Sequence, residues 1–256
     1  MEILFLGTCA CDFSKRLDED LKFKFDKDVR RSSAMLINGR FLVDCGVHTL
    51  NSLAIANIPT SDITDIFITH THRDHFNADN INAIAAERTE PLRIWINSSA
   101  NTEMLKNVEI KPLEYFQRAE ICDGCTVVSL PANHDPIASP QHFYFEINGK
   151  KTFYGCDGAW LFNLTYYFLR DKKLDLCVLD CTTGDYEGDF RMGEHNSIPM
   201  LRVMLPSLCT FKVIDDNSRV YFSHLAPSLH ASHDETVAIA SKMSANVAYD
   251  GLKITV

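Results

Sequence analysis

The sequence predicts a mixed α/β protein with more than one sheet, and three observations carry that expectation. Two Asn-Gly pairs, Asn38-Gly39 and Asn148-Gly149, each separate apolar runs of strand length, the signature of a tight β-hairpin. Outside the hairpins, apolar strand-like runs alternate with segments of helical length, the pattern of strands joined by helical crossovers. The chain has 256 residues, 46% hydrophobic and 23% charged, which is enough to bury a sizeable core in one large domain spanning residues 1–256.

Taken in order, Ile3–Leu6 is a strand that stops at Gly7-Thr8. Residues 12–30 are polar, lack a clean period, and read as a long excursion or lid. The first hairpin pairs Ser33–Ile37 with Phe41–Val43, and a helix is expected over 48–57. The apolar run Asp65–Thr69 is a short buried strand, followed by a helix over Asp79–Arg88 and a strand over Leu92–Ile96. Residues 99–107 are expected to be helical. Thr126–Leu130 is a strand, and the second hairpin pairs Gln141–Ile147 with Lys151–Tyr154. A helix over Leu161–Arg170, a buried strand over Leu174–Leu179 and a helix over Ile198–Leu208 follow. Arg219–Phe222, a helix over 233–244 and a closing strand at Leu252–Val256 complete the chain.

The net charge of −9 argues against a broad basic footprint for nucleic acid, leaving room only for a local patch. No stretch reaches the ~18 apolar residues of a membrane span. Met1–Gly7 lacks a basic leader and reads as a first strand, so the expected location is the cytoplasm, with reduced thiols. The nine cysteines are scattered. Cys9/Cys11 and Cys122/Cys125 are the only close pairs, and neither has the partner pair that a structural zinc requires. Cys122–Cys125 reads as a turn between strands.

The chemistry is concentrated in Ile68–His75. His70, His72, Asp74 and His75 place four metal-ligand side chains within six residues, just where a buried strand ends. Imidazole and carboxylate suit zinc, manganese and iron. His70 and His72 can converge on one cation from extended backbone, while Asp74 and His75 turn back towards a second. Ten histidines in the whole chain make such clustering improbable by chance.

Thr69-His70-Thr71-His72-Arg73-Asp74-His75 resembles the His-x-His-x-Asp-His signature of the metallo-β-lactamase superfamily. That resemblance implies an αββα sandwich, two mixed β-sheets flanked by helices. It also implies further ligands downstream, each just after a strand, and His134, Asp157 and His224 stand at such positions. The implied arrangement is His70, His72 and His134 on one divalent cation, Asp74, His75 and His224 on the other, and Asp157 shared. Zinc or manganese is the expected metal, with iron open to the same donors. Asp44 falls where superfamily members carry a buried carboxylate that orients a ligand histidine, with Thr69 and Ser223 able to assist.

Within the superfamily, Gly7-Thr8, Arg30–Ser33 and Ala248–Ile254 resemble the branch holding the tRNA 3′-processing endonucleases and the phosphonate-pathway cyclic phosphodiesterases. The resemblance implies that a metal-bound hydroxide attacks a small phosphodiester, a cyclic nucleotide or a sugar cyclic phosphate. Asp74 and His195 are the implied catalytic residues, with His195 assisting the leaving group and held by Glu194 or Asp185. Arg30, Arg31 and Ser33 are the expected phosphate grip. His134 and Asp157 are separated only by a short hairpin, with no room for the RNA-gripping arm of the tRNA enzymes. Nucleic acid is therefore the second-ranked partner, with a patch at Lys22, Lys24, Lys27, Arg30 and Arg31 as its signal. A lactonase or thioesterase and a non-catalytic metal-binding scaffold or sensor are the other readings, and a homodimer is left open.

Overall fold

The computed structural model describes residues 1–256. The strands are β1 (Glu2–Gly7), β2 (Ala34–Ile37), β3 (Phe41–Val43), β4 (Asp65–Phe67), β5 (Leu92–Asn97), β6 (Val108–Leu113) and β7 (Arg118–Cys122). They continue with β8 (Cys125–Pro131), β9 (Gln141–Ile147), β10 (Lys150–Gly155), β11 (Leu176–Asp180), β12 (Arg219–Ser223), β13 (Asn246–Val247) and β14 (Lys253–Thr255). The helices are α1 (Thr49–Ile55), α2 (Ala78–Ala86), α3 (Asn163–Leu169), α4 (Ile198–Thr210) and α5 (His233–Ala240).

The strands form two sheets of seven, ordered β14-β1-β2-β3-β4-β5-β6 and β13-β12-β11-β10-β9-β8-β7. Each sheet is built on the same plan. Its earlier strands pair antiparallel and the strands from β3 to β6 and from β10 to β13 pair parallel, while the closing strand β14 pairs antiparallel with β1. Both Asn-Gly turns hold positive φ at both residues, 50° and 71° at Asn38-Gly39 and 50° and 78° at Asn148-Gly149. That is the backbone twist a two-residue hairpin needs.

Three apolar layers separate four layers of structure. The central strands of both sheets are buried on both faces, so successive residues serve different layers. Ile3 and Phe5 of β1 face the second sheet, meeting Phe143, Phe145 and Tyr154. Leu4 and Leu6 face the other way, with Leu53 of α1 and Ile81 and Ile84 of α2. On the far side of the second sheet, Phe153, Leu179 and Phe222 pack against Leu169 of α3 and Leu201, Met204 and Leu208 of α4. The result is the αββα sandwich, with its core in the three interlayer seams. No helix is long and apolar enough to cross a membrane.

Three local expectations are corrected. Residues 99–107 form turns, not a helix, because asparagine side chains take the amides a helix would use. Asn97 Oδ1 accepts from Ser99 N and Asn101 Oδ1 from Glu103 N, both at 3.0 Å. β6, β7 and β13 are not among the expected strands; β6 is a half-exposed edge strand that contains Pro112, which only an edge tolerates. The 12–30 excursion closes over its own small cluster of Leu17, Leu21 and Val29, and the carbonyls of Leu21 and Lys24 accept from Arg31.

Candidate metal centre

The parallel strands all end on one side of the sandwich, and the candidate ligands follow those ends. His70–His75 follows β4, His134 follows β8, Asp157 follows β10 and His224 follows β12. Asp44 and His224 leave their strands in the left-handed region, with φ of 64° and 57°, a strained conformation held by the surrounding structure. Gly46 admits the metal-binding loop: a Cβ there would lie 1.8 Å from the carbonyl oxygen of Asp74.

All seven expected ligands converge. His70, His72, His134 and Asp157 form one group, Asp74, His75 and His224 another, and Asp157 also meets His224. Asp157 Oδ2 lies 3.6 Å from His70 Nε2, 3.7 Å from His75 Nε2, 3.6 Å from His134 Nε2 and 3.2 Å from His224 Nε2. His75 Nε2 is 3.1 Å from His224 Nε2 and 3.4 Å from Asp74 Oδ2, and His134 Nε2 is 3.2 Å from His72 Nδ1. Ligands at about 2.05 Å from a tetrahedral zinc stand about 3.3 Å from one another, so these separations are those of shared coordination spheres.

The residues fit a pair of divalent cations. His70 Nε2 is buried and has no hydrogen-bond partner, which is costly unless a cation takes its lone pair. Burial, aided by the neighbouring His75, pushes the His70 imidazole well down, keeping it in the neutral, ligating form. Burial opposes ionisation of Asp74, but the adjacent His75 outweighs it and holds this carboxyl at about 2. The converging groups contain no cysteine, so the donors are nitrogen and oxygen only.

A second ring of contacts orients the imidazoles. Asp44 is fully buried and accepts from the backbone N–H and hydroxyl of Thr69 at 2.8 and 2.9 Å. Its Oδ2 lies 2.8 Å from His75 Nδ1, fixing the tautomer that turns Nε2 inward. Asp135 Oδ2 stands 3.4 Å behind His72 Nε2, so His72 faces the centre through Nδ1. Asp44→Asn is expected to lower metal affinity by about 10- to 100-fold while the chain stays folded, as read by competition with a chelator and by circular dichroism.

Two residues that the motif search passed over belong to the same network. Asp180, at the end of β11, is fully buried, with Oδ2 at 3.0 Å from His224 Nδ1 and 3.5 Å from His195 Nδ1. Thr182 Oγ1 donates to Asp180 and lies 2.8 Å from His224 Nδ1 and 3.2 Å from His195 Nδ1. The available signal was an aspartate ending a buried strand, the same context as Asp44 and Asp157.

His195 stands on the open side of the cluster, with Nδ1 at 2.8 Å from Asp157 Oδ1. Asp157 thus offers Oδ2 to the imidazole cluster and Oδ1 to His195. Burial works against a charged His195, yet Asp157 and Asp180 together push it up to about 11. Of the expected holders of His195, Asp185 instead pairs with Arg202 at 3.3 Å, whereas a Glu194 carboxylate oxygen lies within 4.8 Å of ring nitrogens of His195 and His134.

The expected phosphate grip is also corrected. Arg30, Arg31 and Ser33 are buried and lie outside the cleft lining. Arg30 donates to Thr8 Oγ1 and the carbonyl of Ala248, Arg31 to Asn51 and the carbonyl of Leu21, and Ser33 to the carbonyl of Cys9. Most of their donors tie the N-terminal excursion to the sandwich, and Arg31 Nη1 is buried 3.8 Å from Asp250 Oδ2, which removes both arginines from the expected basic patch.

Two mixed sheets packed face to face between helical layers, with a His/Asp cluster at their shared end, make the chain a metallo-β-lactamase-fold protein. Zinc-bound PqqB of Methylobacterium extorquens superposes with a TM-score of 0.77 at 15% identity, covering all of both chains. The short form of human tRNase Z superposes at 0.71 and 18% identity, covering 100% of this chain and 99% of that one. Likeness at such identity is likeness of fold. By sequence, residues 24–89 match the family model of the anti-Pycsar protein Apyc1. The ribonuclease Z of Methanococcus maripaludis is 31% identical over 112 residues, 42% of this chain and 32% of that protein. The chain thus spans about a third of the length of this curated relative.

Proposed function

We propose that the protein is a dinuclear metal-dependent hydrolase that cleaves a small phosphodiester, a cyclic nucleotide or a sugar cyclic phosphate. The observation that carries this reading is His195, placed on the open side of the ligand cluster with Nδ1 held by two carboxylates. When bound, two divalent cations supply Lewis acidity towards phosphoryl oxygens and a nucleophile available near neutral pH. His70, His72, His134 and Asp157 would hold one of them, and Asp74, His75 and His224, with Asp157 beside them, would hold the other. Because Asp157, Asp180 and Thr182 occupy the Nδ1 side of His195, its Nε2 carries the proton for the departing alkoxide. Asp157 and Asp180 stabilise that imidazolium and fix its ring.

A small substrate is supported by the cleft, which has a volume of about 310 Å³ and is lined by His72, Arg73, Asp74, His134, Asp157, Glu194, His195 and His224, among others. That is the lower end of the range for ligand pockets, about 300–1,000 Å³. Between His134 and Asp157 the chain holds only the β9–β10 hairpin and a short turn, so no arm projects to grip RNA. The net charge of −9 points the same way. A nuclease is the second reading, favoured by the partial match to a protein named ribonuclease Z.

The test is turnover of bis(p-nitrophenyl) phosphate and of 3′,5′-cyclic nucleotides by metal-stripped protein reloaded with Mn²⁺ or Zn²⁺. Metal-dependent release of nitrophenol is the expected result. No release from protein shown to hold two ions per chain would overturn the reading and point to carboxyl esters or lactones.

A further inference from the structure

We infer that Arg73 is a substrate-binding residue that grips the non-bridging oxygens of an anionic phosphodiester and selects it over neutral esters. The assignment rests on the phosphodiester reading above and deepens it. Arg73 stands between His72 and Asp74, so ligand residues on both sides anchor its backbone at the edge of the centre. It is exposed, lines the metal cleft, and is the only arginine or lysine that does so. Arg191 and Arg202 are paired with Asp189 and Asp185, whereas Arg73 takes part in no ion pair or side-chain hydrogen bond. Its guanidinium donors are therefore free.

The cleft is lined by Ala10, Cys11 and Arg73, by Glu194 and His195, and by the ligand residues. Arg73 and His195 line the same cleft beside the ligand residues, so a phosphodiester held there has a cation for its anionic oxygens and an imidazole for its leaving oxygen. The guanidinium fork matches two such oxygens. Glu194, which also lines the cleft, disfavours the extra negative charge of a terminal phosphomonoester, so the site suits a diester carrying one charge. With Arg30 and Arg31 spent inside the protein, the cleft has no other permanent cation for this task.

The experiment compares wild type, Arg73→Gln and Arg73→Lys as full chains loaded with Mn²⁺, using bis(p-nitrophenyl) phosphate and the neutral ester p-nitrophenyl acetate at low and high salt. Metal content is read by elemental analysis. A hydrogen bond to a charged group contributes about 1.5–3 kcal/mol, so Arg73→Gln should lower kcat/KM on the diester roughly 10- to 150-fold. Two ions per chain and acetate turnover within about twofold of wild type should be retained. The rise of KM with salt seen for wild type should flatten, because the cation that screening weakens is gone. Arg73→Lys should recover part of the loss, having the charge without the fork. Diester turnover by Arg73→Gln within twofold of wild type would overturn the assignment, and so would equal losses on both esters. Wild type that hydrolyses the acetate but not the diester would overturn the functional reading and the assignment together.

Discussion

Asp157→Ala is expected to abolish retention of two metals: after gel filtration, elemental analysis should find fewer than one ion per chain instead of two. One carboxylate oxygen faces four imidazole nitrogens at 3.2–3.7 Å, and the other faces His195 at 2.8 Å. No other acidic group joins the two ligand groups in this way. Its carboxyl is held well below the ordinary range, since His224 and His195 outweigh the burial that alone would raise it. Removing it leaves a buried cluster of imidazoles without their shared counter-charge, which also costs stability, about 3–5 kcal/mol for breaking a buried charged pair. Phosphodiesterase turnover should fall by more than about 100-fold, the upper end of the effect of losing a mere orienting partner. A variant that still holds two ions per chain would show that Asp157 does not bridge them.

His195→Ala is expected to separate chemistry from metal binding. Its Nδ1 faces Asp157, Asp180 and Thr182, and the residue lines the cleft without belonging to the His70/His72/His134 or Asp74/His75/His224 groups. The variant should keep two metals per chain and lose about 10²- to 10⁴-fold in kcat on a diester, the usual worth of a positioned general acid. The loss should shrink as the leaving group becomes more acidic, because a good leaving group needs no proton. Steady-state kinetics across a series of aryl phosphodiesters reads this directly. Unchanged kcat for the poorest leaving group would remove the main support for phosphodiester chemistry and favour the lactonase reading.

The legible part of the centre was legible for a physical reason. Each ligand stands at or just beyond the end of a buried strand, and such strands announce themselves as apolar runs: Ile66–Ile68 before His70, Val127–Leu130 before His134, Tyr221–Phe222 before His224. Asp180 carried the same signal, but a lone aspartate two residues before Thr182 belongs to no ligand spacing. Its role emerges only because β10, β11 and β12 lie side by side in parallel and bring Asp157, Asp180 and His224 together. The helix expected over 99–107 and the unexpected β6 fail for a related reason: local side-chain hydrogen bonds and an edge position outweigh intrinsic propensity.

By itself, the sequence determined the hairpins, most of the strands and helices, and the candidate ligand run His70, His72, Asp74 and His75, while His134, Asp157 and His224 followed from the resemblance. These depend on residues within a few positions of one another: Asn-Gly turns that need positive φ, apolar periodicity, and imidazoles spaced along extended backbone. Only the tertiary structure decided what the arginines do. Arg30 and Arg31 sit in a polar stretch that reads like an exposed grip, yet they are buried because Thr8, Asn51, Asp250 and the carbonyls of Leu21 and Ala248 reach them from distant parts of the chain. Arg73, inconspicuous inside the metal motif, is left facing the cleft. Whether a charged side chain is spent or free is settled by which distant groups meet it, and no local pattern records that meeting.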